Sequence, residues 1–162
     1  MQITDNVLLL KINEASAYYD KFSVEETIGK IKPKYKLMRS SILEQYFFNV
    51  LTKDMTACKK KLTIRIEKDD WLNRAKGYLE KCSFCDLTKY DIMDKEVLLK
   101  KIRDRNNLFL FVGKLCESKY NELKKLSKKV KYLPYISRET RNIVQNNLLG
   151  ISNEKIKELG IN

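Results

Sequence analysis

A chain of 162 residues with 43% hydrophobic side chains has the material for one domain with a real core, and 33% charged residues with only five glycines and two prolines favour helices over a turn-rich β fold. The formal net charge of +12 points to anionic partners, while the absence of histidine excludes Ser-His and Cys-His nucleophile pairs, histidine general bases and histidine-bearing metal sites. No apolar run approaches a membrane span, and Val7 to Leu10 is too short for a signal-peptide core, so the expectation is a cytoplasmic protein with no membrane attachment.

In chain order, Thr4 caps a helix reaching about Phe22, since Leu8, Leu9, Ile12, Ala15, Tyr19 and Phe22 recur at three and four; a strand over Val7 to Ile12 is the competing reading. Ser23 with Glu26 forms a capping box for a short helix to Ile31, which Pro33 ends. Lys30, Lys32, Lys34 and Lys36 around that proline read as a solvated basic linker. From Lys34, the positions Tyr35, Met38, Ile42, Tyr46 and Val50, flanked by Leu43, Phe47 and Leu51, make a wide apolar stripe that predicts a helix at the centre of the core.

The period then changes. Leu62, Ile64 and Ile66 alternate with Lys61, Thr63, Arg65 and Glu67, the repeat of a half-exposed strand, which needs a partner such as Val7 to Ile12 or another subunit. Asp69 or Asp70 caps a helix with Trp71, Ala75, Tyr78 and Leu79 inward, and Asp94 with Glu96 opens another over Lys95 to Arg105 with Val97, Leu98 and Ile102 inside. The longest pattern runs from Asn107 to Lys131, with Leu108, Val112, Leu115, Cys116, Leu123, Leu126 and Val130 on one side of a helix; Gly113 weakens its continuity, and Leu108 to Val112 also fits a buried strand. After Pro134, Ser137, Gly150, Ser152 and Gly160 mark the caps of a short helical hairpin. The expected fold is therefore mainly α, a compact helical domain of about six or seven helices with at most one small β element, divided into a main part, 1–133, and a hairpin, 134–162.

Ser137, Glu139 and Arg141, followed by Gly150, Ser152, Asn153, Ile156 and Leu159-Gly160-Ile161, resemble the opening of the helix-turn-helix of LuxR-type regulators and of the DNA-reading region of sigma factors. The resemblance covers the last 27 residues and requires a one-residue deletion before Leu159. It implies a helical hairpin without the groove-reading helix, which in that family follows the final Gly-Ile turn.

Charge is concentrated. Residues 55–81 carry eight basic and four acidic side chains, and 106–133 carry seven and two. The candidate nucleic-acid-binding set is Lys59, Lys60, Lys61 and Arg65 with Lys124, Lys125, Lys128 and Lys129; of the tyrosines beside these lysines, Tyr120 reads as packing, and Tyr132 and Tyr135 fit base stacking and packing equally. The basic residues are 26 lysines and only seven arginines, which suits attraction to a phosphate backbone better than base readout. Cys82 and Cys85 have the spacing of half a zinc knuckle that Cys58 and Cys116 would complete, but the second pair and the turn glycines are missing, so no cofactor is expected. Asp69, Asp70, Asp86, Asp91, Asp94 and Glu96 lack the repeated spacing of a metal-dependent nuclease, and Asp70 and Asp94 read as helix caps. The functional expectation is a non-catalytic nucleic-acid-binding accessory protein, DNA- or RNA-directed, within a replication, transcription or RNA-processing assembly. The alternative is an interaction module docking on an acidic protein surface through anchors such as Trp71.

Overall fold

The computed structural model describes residues 8–24, 31–58, 60–103 and 109–129. They build a mainly β protein, which overturns the expectation of an all-α domain. Seven antiparallel strands, β1 (Ser16–Val24), β2 (Ile31–Ile42), β3 (Gln45–Thr52), β4 (Thr63–Ile66), β5 (Trp71–Leu72), β6 (Ser83–Asp94) and β7 (Phe109–Leu115), form one sheet in the order β4-β6-β3-β2-β1-β7-β5. Two α-helices are described, α1 (Lys95–Arg103) and α2 (Glu117–Ser127). The C-terminal segment 134–162, with its expected hairpin, lies outside the described residues, as do Thr4 and 25–30.

The central helix expected after Pro33 is the β2–β3 hairpin. Both faces of these strands are covered, so Lys36, Leu37 and Met38 in β2 and Phe47, Phe48 and Asn49 in β3 are all buried. Burial on both sides removes the two-residue alternation that marks a strand, and the remaining apolar run satisfies helical spacing equally well. The turn is equally concealed. Ile42 pairs with Gln45, and the two residues between them, Leu43 and Glu44, adopt left-handed φ values of 51° and 64°. Such a turn favours Asn-Gly, whereas this chain uses Leu-Glu. Ala15 and Asn73 also have positive φ, so a low glycine count understated the number of turns.

Other expectations fare differently. The expected helix from Thr4 to Phe22 becomes β1 in its second half, and Ser23 lies in that strand instead of capping a helix. Alternation over Leu62 to Ile66 does mark a strand, with Ile64 and Ile66 buried and Arg65 exposed, but its partner is β6 through Ile64 and Cys85. The helix after Asp94 is α1, opened by the Asp94 carboxylate, which accepts from Glu96 N–H at 2.7 Å. Trp71 and Leu79 are inward as expected, though from β5 and a one-turn 3-10 helix. The long basic helix divides into β7 and α2. Gly113 belongs to β7, where a Cβ would meet Leu79 Cδ1 at 3.0 Å.

The sheet must curl. β4 and β5 lie at its opposite edges, yet only residues 67–70 separate them in sequence. A flat seven-stranded sheet is about 29 Å across, whereas the chain from Ile66 to Trp71 reaches at most about 18 Å. Accordingly, one core cluster contains Ala17, Leu37, Leu51, Ile66, Trp71, Leu87 and Leu115, a residue from every strand, and Tyr120 and Leu123 of α2 enter it. The convex side carries a second core, Tyr18, Met38, Phe48, Met93 and Phe109, covered by Leu98 of α1. Register shifts in β1, β2, β6 and β7 supply the curvature, as bulges do.

The left-handed Leu-Glu turn is a local cost that a better turn sequence removes. Replacing Leu43 with Asn and Glu44 with Gly should raise stability by about 1 kcal/mol. Urea denaturation with an unchanged m-value and a higher midpoint is the expected result.

Candidate functional site

The lysine ridge is placed by α2. Cys116 precedes the helix in an extended conformation, Glu117 lies in the first turn, and Lys124 and Lys125 lie in the last, so charge follows the helix dipole. Tyr120 and Leu123 face the concave core, and Lys124, Lys125, Lys128 and Lys129 are exposed. Lys119 is drawn to Glu122 at 3.5 Å. Arg39 ties the helix to the sheet. It is the extra residue at the β2 bulge, and its guanidinium donates to Asn49 Oδ1 at 2.6 Å and to Ser127 Oγ at 2.8 Å. The Tyr120 hydroxyl donates to Glu14 Oε1 at 2.6 Å, so burial and this carboxylate push the phenol up. Tyr120 is thus an anchor and not a stacking surface, while Tyr132 and Tyr135 lie outside the described residues.

The two basic segments do not merge into one continuous face. Ile64 and Ile66 point into the core that α2 covers, so Arg65 between them lies on the opposite side of the sheet. Its guanidinium is 2.6 Å from Glu67. Lys60 and Lys61 are exposed on a one-turn helix before β4, and Lys59 lies outside the described residues. The structure therefore groups Lys124, Lys125, Lys128 and Lys129 and separates Arg65 from them. Trp71 is buried, which leaves the alternative docking reading without the anchor it named.

No disulfide joins the four cysteines, and among the described residues no three metal-ligating side chains converge. Cys85 is buried, which pushes its thiol up to about 12. The acidic residues are dispersed. Asp70 accepts from Glu67 N–H, Asp86 accepts from Thr88, and Asp91 lies in an ion cluster beneath α1.

That cluster contradicts the reading of Lys36 as part of a solvated linker. Lys36 is 1% exposed, and its ammonium lies 2.7 Å from both Asp20 Oδ2 and Asp91 Oδ2. Lys101 of α1 donates to both Asp20 oxygens at 3.0 Å. The contact to Asp91 is one of charge and proximity, because Asp91 Oδ1 and Oδ2 both lack a directed hydrogen bond. Burial alone would raise the Asp20 carboxyl, but Lys36 and Lys101 outweigh it and hold the group below its ordinary 3.8. Burial likewise disfavours the Lys36 ammonium, and Asp91 and Asp20 overcome this to raise it above 10.5.

A second feature missed in the sequence is a row of tyrosines, two of which pack against the same core that α2 covers. Tyr19 of β1 and Tyr35 of β2 are cross-strand partners with ring centroids 5.0 Å apart, and Tyr78 stacks on Tyr35 at 3.8 Å. All three are half-buried. The Lys53 ammonium sits 4.1 Å above Tyr78 and donates to the carbonyl oxygens of Tyr78, Lys81 and Cys82. Burial and the neighbouring Tyr35 push the Tyr78 phenol up to about 12. Only strand register could have aligned Tyr19 with Tyr35, and a helical reading hides it.

Among the described residues no helix is long and apolar enough to cross a membrane. Replacing Lys36 with Met should cost about 3–5 kcal/mol by leaving Asp91 buried without its counter-charge. Asp91→Asn in that background should recover part of the loss, as read by denaturation. The pH profile has a definite sign. Depressed Asp20 stabilises above 3.8 and loses its contribution as pH falls, whereas raised Lys36 stabilises below 10.5 and loses its contribution as pH rises. Lys36→Met should flatten the alkaline limb. A scan against protein-family models and a search of curated proteins found no match.

Proposed function

We propose that the protein binds nucleic acid through charge contacts with the phosphate backbone and acts without catalysis, as an accessory component of a replication, transcription or RNA-processing assembly. The observation that carries this reading is the exposed lysine set on the last turn of α2 and the two residues that follow it, Lys124, Lys125, Lys128 and Lys129, on a chain of net charge +12. Ammonium groups on flexible stems neutralise phosphates without demanding a base sequence, so affinity is general and salt-dependent. Lys60 and Lys61 are supplementary contacts, and Arg65, held by Glu67, contributes less. The main competitor for the same lysines is an acidic protein surface, and salt titration with nucleic acid distinguishes the two.

The test is fluorescence anisotropy of labelled DNA and RNA at several salt concentrations. Exchanging Lys124, Lys125, Lys128 and Lys129 for Gln should weaken binding to all sequences alike and reduce the log–log salt slope by about 3. An unchanged slope would remove the ridge from the interface, and no binding at physiological salt would turn the search to an acidic protein.

A further inference from the structure

The tyrosine row has properties that a core alone does not require. Its rings are only partly buried, and beside them lies Leu110 of β7, which is the cross-strand partner of Tyr19 and is 41% exposed. The outer face of Tyr78 is covered by an ammonium and not by an apolar side chain. We propose that the Tyr19–Tyr35–Tyr78 rim is a stacking site for unpaired bases of a single-stranded nucleic acid. This rests on the reading that the protein binds nucleic acid, and it names the form that is bound.

Two contacts compete for the outer face of Tyr78. A base stacked on an aromatic ring is worth roughly two to three times the free energy of an exposed cation over the same ring. An incoming base that displaces Lys53 from Tyr78 also parts it from the carbonyl oxygens of Tyr78, Lys81 and Cys82, exposed bonds that water replaces, and extends the row by one plane. The freed ammonium, on a flexible stem, then reaches the phosphate of that nucleotide. Duplex bases already stack on one another and leave no face for the rim. Exposed Asp54 and Glu80 offset Lys53 and Lys81 locally, so the rim contributes stacking more than charge. That separates it from the α2 ridge. The two sites respond to different changes in the ligand, since removing bases affects the rim and raising salt affects chiefly the ridge.

The test compares a thymidine oligonucleotide with an abasic oligonucleotide of equal length, both labelled and followed by anisotropy, with the duplex as a third ligand. The thymidine strand should bind about tenfold more tightly than the abasic strand. Tyr78→Leu should reduce that ratio by about fivefold or more while lowering the salt slope by no more than about 1, the single phosphate contact of Lys53, and thermal unfolding followed by circular dichroism shows whether the variant folds. Tyr19→Leu, at the less tightly packed end of the row, is the second variant and decides the matter if Tyr78→Leu does not fold. Equal binding of the two strands by the wild-type protein, or an undiminished ratio in the folded variants, would overturn the stacking rim alone. Absence of binding to either strand would instead remove the nucleic-acid reading beneath it.

Discussion

The buried line of charges Lys101–Asp20–Lys36–Asp91 constrains the rest of the structure. It joins the consecutive strands β1 and β2 to β6 and the helix α1 that follows it, two parts of the chain distant in sequence, through contacts of 2.7 to 3.0 Å. Each charge has lost its water, and each is tolerated only because an opposite charge occupies the neighbouring position. A one-residue slip of β2 would exchange its two faces, turning Lys36 into the tyrosine row and leaving Asp91 buried without a counter-charge. The apolar cores on the two faces could accept several packings, but the ion line accepts one register. The line contains two carboxylates and two ammoniums, so it adds nothing to the net charge. All of the +12 is carried elsewhere in the chain.

Register fixed in this way has consequences at both ends of the curled sheet. At one end the β2 bulge turns Arg39 toward α2, where it holds Ser127 and Asn49 and settles the helix over the concave core. At the other, the same register sets Tyr19 opposite Tyr35 and leaves Tyr35 available to Tyr78. The ridge of lysines and the row of tyrosines are therefore both products of how β1 and β2 align.

The sequence revealed burial more faithfully than it revealed conformation. Met38, Phe47 and Leu51 are core residues, as their apolar stripe implied, but a strand covered on both faces loses the alternation that would have identified it. Leu43 and Glu44 carry no turn signature, although their φ values are those of a hairpin turn that usually needs Asn-Gly. Where one face stays wet, the pattern was legible: Ile64, Arg65 and Ile66 alternate in sequence and in burial. Helix α1 was also legible, because Asp94 is a local cap and needs no tertiary partner. The exposure of Lys124, Lys125, Lys128 and Lys129 followed from helical spacing. Their separation from Arg65 did not, because it depends on which side of a sheet each segment occupies. Lys36 was the least legible, since a lysine among lysines near a proline gives no sign that two aspartates from other strands await it.

Composition misled in a physically informative way. Scarce glycine and proline suggest few turns, but left-handed turns can be built from Ala15, Leu43, Glu44 and Asn73 at a modest cost each. A sheet stabilised by two cores and a satisfied ion line can absorb several such costs, whereas an isolated hairpin could not. The same reserve bears on function. The paired strands hold Tyr19 and Tyr35 at fixed spacing without spending binding energy to order them, while the exposed lysines at the end of α2 carry their charges on long stems. Ordered rings and mobile charges are suited to different tasks: the first to a flat ligand surface presented in one orientation, the second to a chain of phosphates whose positions vary.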